Sequence, residues 1–143
     1  MTVNNNSNNR LSSLFDDQGQ SPWLDNLRRG WITSGELDQW VATGIRGLTS
    51  NPAIFQKAIE GSADYDQQFG QLIADGVSVD EAYWDLVTSD IRGALQALRP
   101  VYDASDGRDG FVSVEVDPTL ARDSGETTTA ARALHDRLDA PNL

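Results

Sequence analysis

The chain has 143 residues, 38% of them hydrophobic, and no cysteine. That suffices for one domain with a core and excludes disulfide and thiolate–metal chemistry. Its 22 acidic and 11 basic residues leave a net charge of −11, which argues against nucleic-acid backbones and anionic membrane surfaces, since both require clustered cations. No stretch approaches the ~20 apolar residues of a membrane span, and no charged-then-apolar start marks a secretory signal, so a soluble cytoplasmic protein is expected. Lys57 is the only lysine and His135 the only histidine.

Residues 1–20 are Asn/Ser-rich and predict a disordered tail, with Leu11, Leu14 and Phe15 giving only the spacing of a short docking turn. Trp23-Leu24-Asp25 reads as a brief buried strand ending in a carboxylate. Ser34 is a candidate N-cap for a helix from Glu36 to Ala42, stopped by Gly44. Ile45 to Ser50 reads as a second strand. Asn51-Pro52 then opens a helix, because asparagine caps well and proline suits the first helical position. Tyr65, Phe69, Leu72 and Ile73 share the spacing of one helical face before Gly76. Ser78-Val79-Asp80-Glu81 is a capping box, followed by a long amphipathic helix that Pro100 should end or bend.

Asp106 to Gly110 is a turn, and Phe111 to Val116 alternates as the clearest strand of the chain, stopped by Asp117-Pro118. A last helix spans about Glu126 to Leu138, and another strand is expected to begin at Pro141-Asn142-Leu143. Strands alternating with helices point to a parallel α/β sheet. Three such units close nothing, whereas a (β/α)8 barrel needs ~250 residues. The expectation is a disordered tail over 1–20 and an incomplete α/β barrel over 21–143.

Chemistry in parallel α/β folds gathers at the C-terminal ends of strands. There the sequence places Asp25, Thr49, Ser50, Asn51, Glu115 and Asp117. Two carboxylates converging there can do general acid–base work, and a hydroxyl and an amide beside them can orient a sugar hydroxyl. Plainer roles compete. Asp25 could cap the next turn, Asn51 could serve only as a helix cap, and Thr49 and Ser50 could be ordinary strand-end residues. Asp117-Pro118 fits turn chemistry. Glu115 is hardest to dismiss, since a carboxylate within an apolar alternation needs a partner or a function. Lys57 reads as a solvated helix lysine and His135 as an exposed residue near a helix C-terminus.

These residues also carry a likeness. Gly47-Leu48-Thr49-Ser50-Asn51-Pro52-Ala53-Ile54-Phe55 is similar to the G-[VL]-T-[ST]-N-P-x-I-F signature of transaldolases. Trp23-Leu24-Asp25 resembles that family's first barrel strand, and Val112 to Pro118 its third, V-S-x-E-V-D-P. Pro141-Asn142-Leu143 resembles the P-N-L shortly before the family's Schiff-base lysine. The resemblance covers about residues 21–143 and implies the N-terminal portion, about three βα units, of a TIM (β/α)8 barrel of class I aldolase type.

It further implies transfer of a dihydroxyacetone unit through a lysine imine. The donor would be sedoheptulose 7-phosphate or fructose 6-phosphate, and the acceptor glyceraldehyde 3-phosphate or erythrose 4-phosphate. No metal or organic cofactor is implied. Asp25 would be the acid/base at carbon–carbon cleavage and Glu115 would handle the proton of a water at the imine steps. Thr49 and Asn51 would hold that water and the intermediate, and Ser50 would line the substrate site. The imine lysine is expected a few residues past Leu143, so this chain alone is expected to be inactive. The competing expectation is a non-catalytic half-barrel acting as an interaction or complementing subunit. A homo-oligomer or a complementing chain would be its partner.

Overall fold

A computed structural model describes residues 10–143. Among them three short parallel strands form one sheet in the order β1 (Trp23–Asp25), β2 (Gly47–Thr49), β3 (Val112–Ser113). The register aligns Leu24 with Leu48 and Leu48 with Val112, and places Asp25, Thr49 and Ser113 side by side. Because side chains alternate across a strand, the leucine–leucine–valine row faces one way and the polar row the other. Leu48 and Val112 are buried in the core, with Leu24 and Val114 packed against it.

Helices cover the leucine–valine face. α2 (Arg29–Thr33), α3 (Glu36–Ala42), α4 (Pro52–Glu60), α6 (Val79–Ala104) and α7 (Ser124–Leu138) each bury at least one side chain in the core there, α5 (Asp66–Ala74) packs on α6, and 3-10 turns lie at Ala63–Tyr65 and Pro118–Leu120. The central helix is α6. Its Leu86, Val87, Ile91, Ala94, Leu95 and Leu98 are buried. The expected capping box is present: Ser78 accepts from the Glu81 amide while the Glu81 side chain takes the Ser78 amide. Asn51 accepts from the Ile54 amide at 3.0 Å, and Pro52 takes the first turn of α4.

Five expectations are corrected. Arg10–Gln18 forms a helix, α1, inside the segment expected to be disordered, and residues 1–9 lie outside the described residues. No residue of α1 is buried; the Arg46 guanidinium stands 3.6 Å over the Phe15 ring, and Leu11 and Ser12 close on Gly44. Those partners are distant in sequence, so composition alone did not show them. Ser34 closes α2 instead of opening α3; Gly35, at φ 76°, takes the N-cap position because the chain reverses there between two helices.

The third correction is partial: of the two outcomes expected at Pro100, ending the helix does not occur, since α6 runs through it. Fourth, the face expected from Tyr65 to Ile73 is split. Tyr65 belongs to the 3-10 turn and is buried, whereas Phe69 and Ile73 are 37% and 40% exposed. Finally, β3 covers two residues rather than Phe111 to Val116. Ser50 makes the last ladder bond, to the Ser113 carbonyl, and β2 then gives way to α4, leaving Val114 onward nothing to pair with on that side. On the other side the Val112 amide donates to the Asn142 carbonyl at 2.9 Å, where a further strand was expected, although no strand is formed there.

A buried ionic cluster joins α2, α6 and the first 3-10 turn. Arg29 Nε donates to Asp90 Oδ1 at 2.8 Å, and the Tyr65 hydroxyl donates to Asp90 Oδ2 at 2.7 Å. The Arg29 guanidinium also lies over the Tyr65 ring. Burial pushes the Asp90 carboxyl up, and its bonds from Arg29 and Tyr65 oppose that rise without cancelling it. Burial and the bond to Asp90 hold the Tyr65 phenol protonated well above its usual range.

Candidate active site

Parallel pairing in register decides which side chains meet. Asp25 and Thr49 end adjacent strands as a register pair, and the Thr49 hydroxyl donates to Asp25 Oδ1 at 2.6 Å. This hydrogen bond fixes one carboxylate oxygen and leaves the other without a partner among the described residues. Asp25 is exposed and caps no turn; the amide of Leu27 is taken by the Asn26 side chain instead.

Ser113 continues the polar row beside Thr49. Glu115 lies two residues past it. Val114 packs against the core, and Glu115 follows it past the end of β3. Its carboxylate is exposed and makes no hydrogen bond or ion pair among the described residues. A carboxylate and a hydroxyl therefore share the C-terminal edge of the sheet face left uncovered among the described residues, with the Glu115 carboxylate exposed just past β3; such groups can move protons on a polyol.

The other expected residues divide. Asn51 stands next to the pair, but its amide oxygen is committed to capping α4. Its NH2 group has no partner among the described residues and is what it can offer a ligand. Ser50 is not brought to this face: it is 2% exposed and its hydroxyl donates to the Ser113 carbonyl at 2.8 Å, stitching β2 to β3. Asp117 accepts from both the amide and the hydroxyl of Thr119, which hold its carboxyl below the usual range. It is a turn residue, as its sequence context suggested. Lys57 is exposed on α4, and His135 is exposed in the last turn of α7.

Two residues of this face were missed in the sequence, Trp23 and Ser113. Strand alternation alone would have found them, since they lie two positions before Asp25 and Glu115. Trp23 and Phe111 line a hollow of about 310 Å³ along the outer edge of β3. Among the described residues no group of three or more His, Asp or Glu could hold a metal, and no helix is long and apolar enough to cross a membrane.

Residues 22–143 match the sequence profile of the Transaldolase/Fructose-6-phosphate aldolase family. Over its whole length the chain is 47% identical to Transaldolase 1 of Streptomyces avermitilis, covering 38% of that protein. It is 48% identical to Transaldolase 2 of Nostoc punctiforme, over 87% of this chain and 33% of the relative. Against the transaldolase of Thermobifida fusca it is 48% identical, over 90% of this chain and 35% of the relative. The chain thus spans roughly a third of the length of the curated relatives it matches.

Proposed function

The chain belongs to the transaldolase/fructose-6-phosphate aldolase family, its three βα units being part of a (β/α)8 barrel, and from that premise we propose that the protein works as a transaldolase. It moves a dihydroxyacetone unit from a ketose phosphate such as sedoheptulose 7-phosphate or fructose 6-phosphate to an aldose phosphate. The observation that carries the reading is the Asp25–Thr49 pair at the ends of adjacent parallel strands.

In this reading a lysine amine condenses with the donor's ketone to an imine, releasing water. Asp25 takes the proton of the hydroxyl next to the breaking carbon–carbon bond; the aldehyde leaves and the electron pair moves toward the imine nitrogen. Glu115 passes a proton to and from the water of imine formation and hydrolysis. The Thr49 hydroxyl holds Asp25 in place, and the Asn51 NH2 contacts the intermediate. Lys57, the one lysine of these 143 residues, is exposed on the helical layer. The reading therefore assigns the imine to a lysine outside them, and this chain by itself is inactive.

Borohydride reduction with fructose 6-phosphate tests both statements. The 143-residue chain gives no covalent adduct, and an adduct on Lys57 would sink the assignment. The full gene product gives a single trapped lysine. In it, Asp25→Ala lowers turnover by about 10²- to 10⁴-fold, the usual scale of a lost acid–base group; unchanged turnover would remove Asp25 from the mechanism.

A further inference from the structure

Below the Asp25–Thr49 pair lies a second register pair, Trp23 and Gly47, on the same face. The indole rests directly on Gly47: a Cβ built there would stand 2.2 Å from Trp23 Cε2 and 2.6 Å from Nε1. No side chain fits between ring and strand. The ring is also tethered. Its Nε1–H donates to Ser21 Oγ at 3.0 Å, and the Ser21 hydroxyl is within 2.8 and 2.9 Å of the two Asp109 carboxylate oxygens. Asp109 in turn accepts from Arg46 Nε at 2.6 Å. Ser21, Arg46 and Asp109 precede β1, β2 and β3, so one polar relay joins the starts of all three strands to one indole.

Filling this layer does not require such anchoring; any apolar side chain would do. The tether keeps a large ring flat on the backbone two residues before Thr49. The ring thereby supports the strand immediately before the carboxylate–hydroxyl pair, Gly47 and Trp23 being the register pair two residues before Thr49 and Asp25. We infer that Trp23 is a positioning residue for the Asp25–Thr49 pair, held in place by the Ser21–Asp109–Arg46 relay and admitted by the missing side chain of Gly47. The catalytic consequence rests on the transaldolase reading; the geometric one does not.

The test uses protein labelled at threonine methyls and indole nitrogens, as wild type, Ser21→Ala, Trp23→Phe and Gly47→Ala. Ser21→Ala removes only the tether, Trp23→Phe keeps a ring without an N–H, and Gly47→Ala displaces the ring. Far-UV circular dichroism identifies the folded variants, and Ser21→Ala, which changes one exposed hydroxyl, supplies a reading should Gly47→Ala fail to fold. The expected result is faster water exchange of the Trp23 indole proton in Ser21→Ala. Three-bond couplings reporting the Thr49 χ1 angle move toward rotamer averaging in every folded variant.

In the full gene product, turnover falls by about 10-fold or more with KM within about twofold, the signature of lost alignment rather than lost binding. Thr49 couplings identical to wild type in Ser21→Ala and Trp23→Phe would overturn the inference. Absence of borohydride trapping in wild type overturns the transaldolase reading instead, and the couplings still decide the role of Trp23.

Discussion

A carboxylate that is 2% exposed must have its charge answered. Asp90 is answered twice, by Arg29 and by the Tyr65 hydroxyl. Replacing it with asparagine keeps the volume but leaves the largely buried guanidinium without a counter-charge. Asp90→Asn is therefore expected to destabilise by about 3 kcal/mol in urea unfolding, at the lower end for a broken buried pair because Arg29 retains some solvent contact. The direction of the Asp90 shift gives a second check. Its folded-state pKa is raised, so between the ordinary carboxylate range and that raised value the native protein binds more protons than the unfolded one. Asp90's contribution thus makes stability fall as pH rises through that window. Stability measured against pH in wild type and in Asp90→Asn isolates it; a contribution that rises with pH would contradict the assignment. The sequence could not reveal this cluster, because the partners of Asp90 lie 61 and 25 residues away.

Caps and strand ends obey local rules, and there the sequence was readable. Asn51-Pro52 and the Ser78 box opened α4 and α6 as expected, because a cap is decided within four residues. What local pattern missed was decided elsewhere in the fold. The alternation of Phe111 to Val116 promised six residues of strand, yet only two had neighbours to pair with. A polar segment became α1 because Arg46 and Gly44 receive it. In the candidate site, the places of Asp25 and Thr49 at strand ends were legible, whereas Ser50 was not separable from Thr49 without knowing which side each faces. The double duty of Asn51 allows a clean separation. Asn51→Asp keeps an oxygen for the Ile54 amide and stays within about 0.5 kcal/mol of wild type. Asn51→Ala loses about 1 kcal/mol through the cap. Both lack the NH2, so both should lose transaldolase turnover alike; retained turnover in Asn51→Asp would confine the residue to capping.

At the scale of the whole molecule, the described residues cover the sheet on one face only, and Trp23 stands 41% exposed on the other. A parallel sheet is ordinarily buried on both faces. The isolated 143-residue chain should therefore bind a hydrophobic dye such as ANS and self-associate with rising concentration, as light scattering would show. A dye-silent, concentration-independent monomer would mean that the uncovered face is tolerated as it stands. The order of strands and helices was legible because each βα unit is assembled from neighbours in sequence. That the sheet stays open was legible too, because three strands cannot close a barrel.

Asn142 ties the last of these units to its neighbours. Its side-chain amide is buried, donating to the carbonyls of Leu95 and Gly110, while its own carbonyl receives the Val112 amide. This one residue thus fastens the segment after α7 to the central helix and to β3 at once.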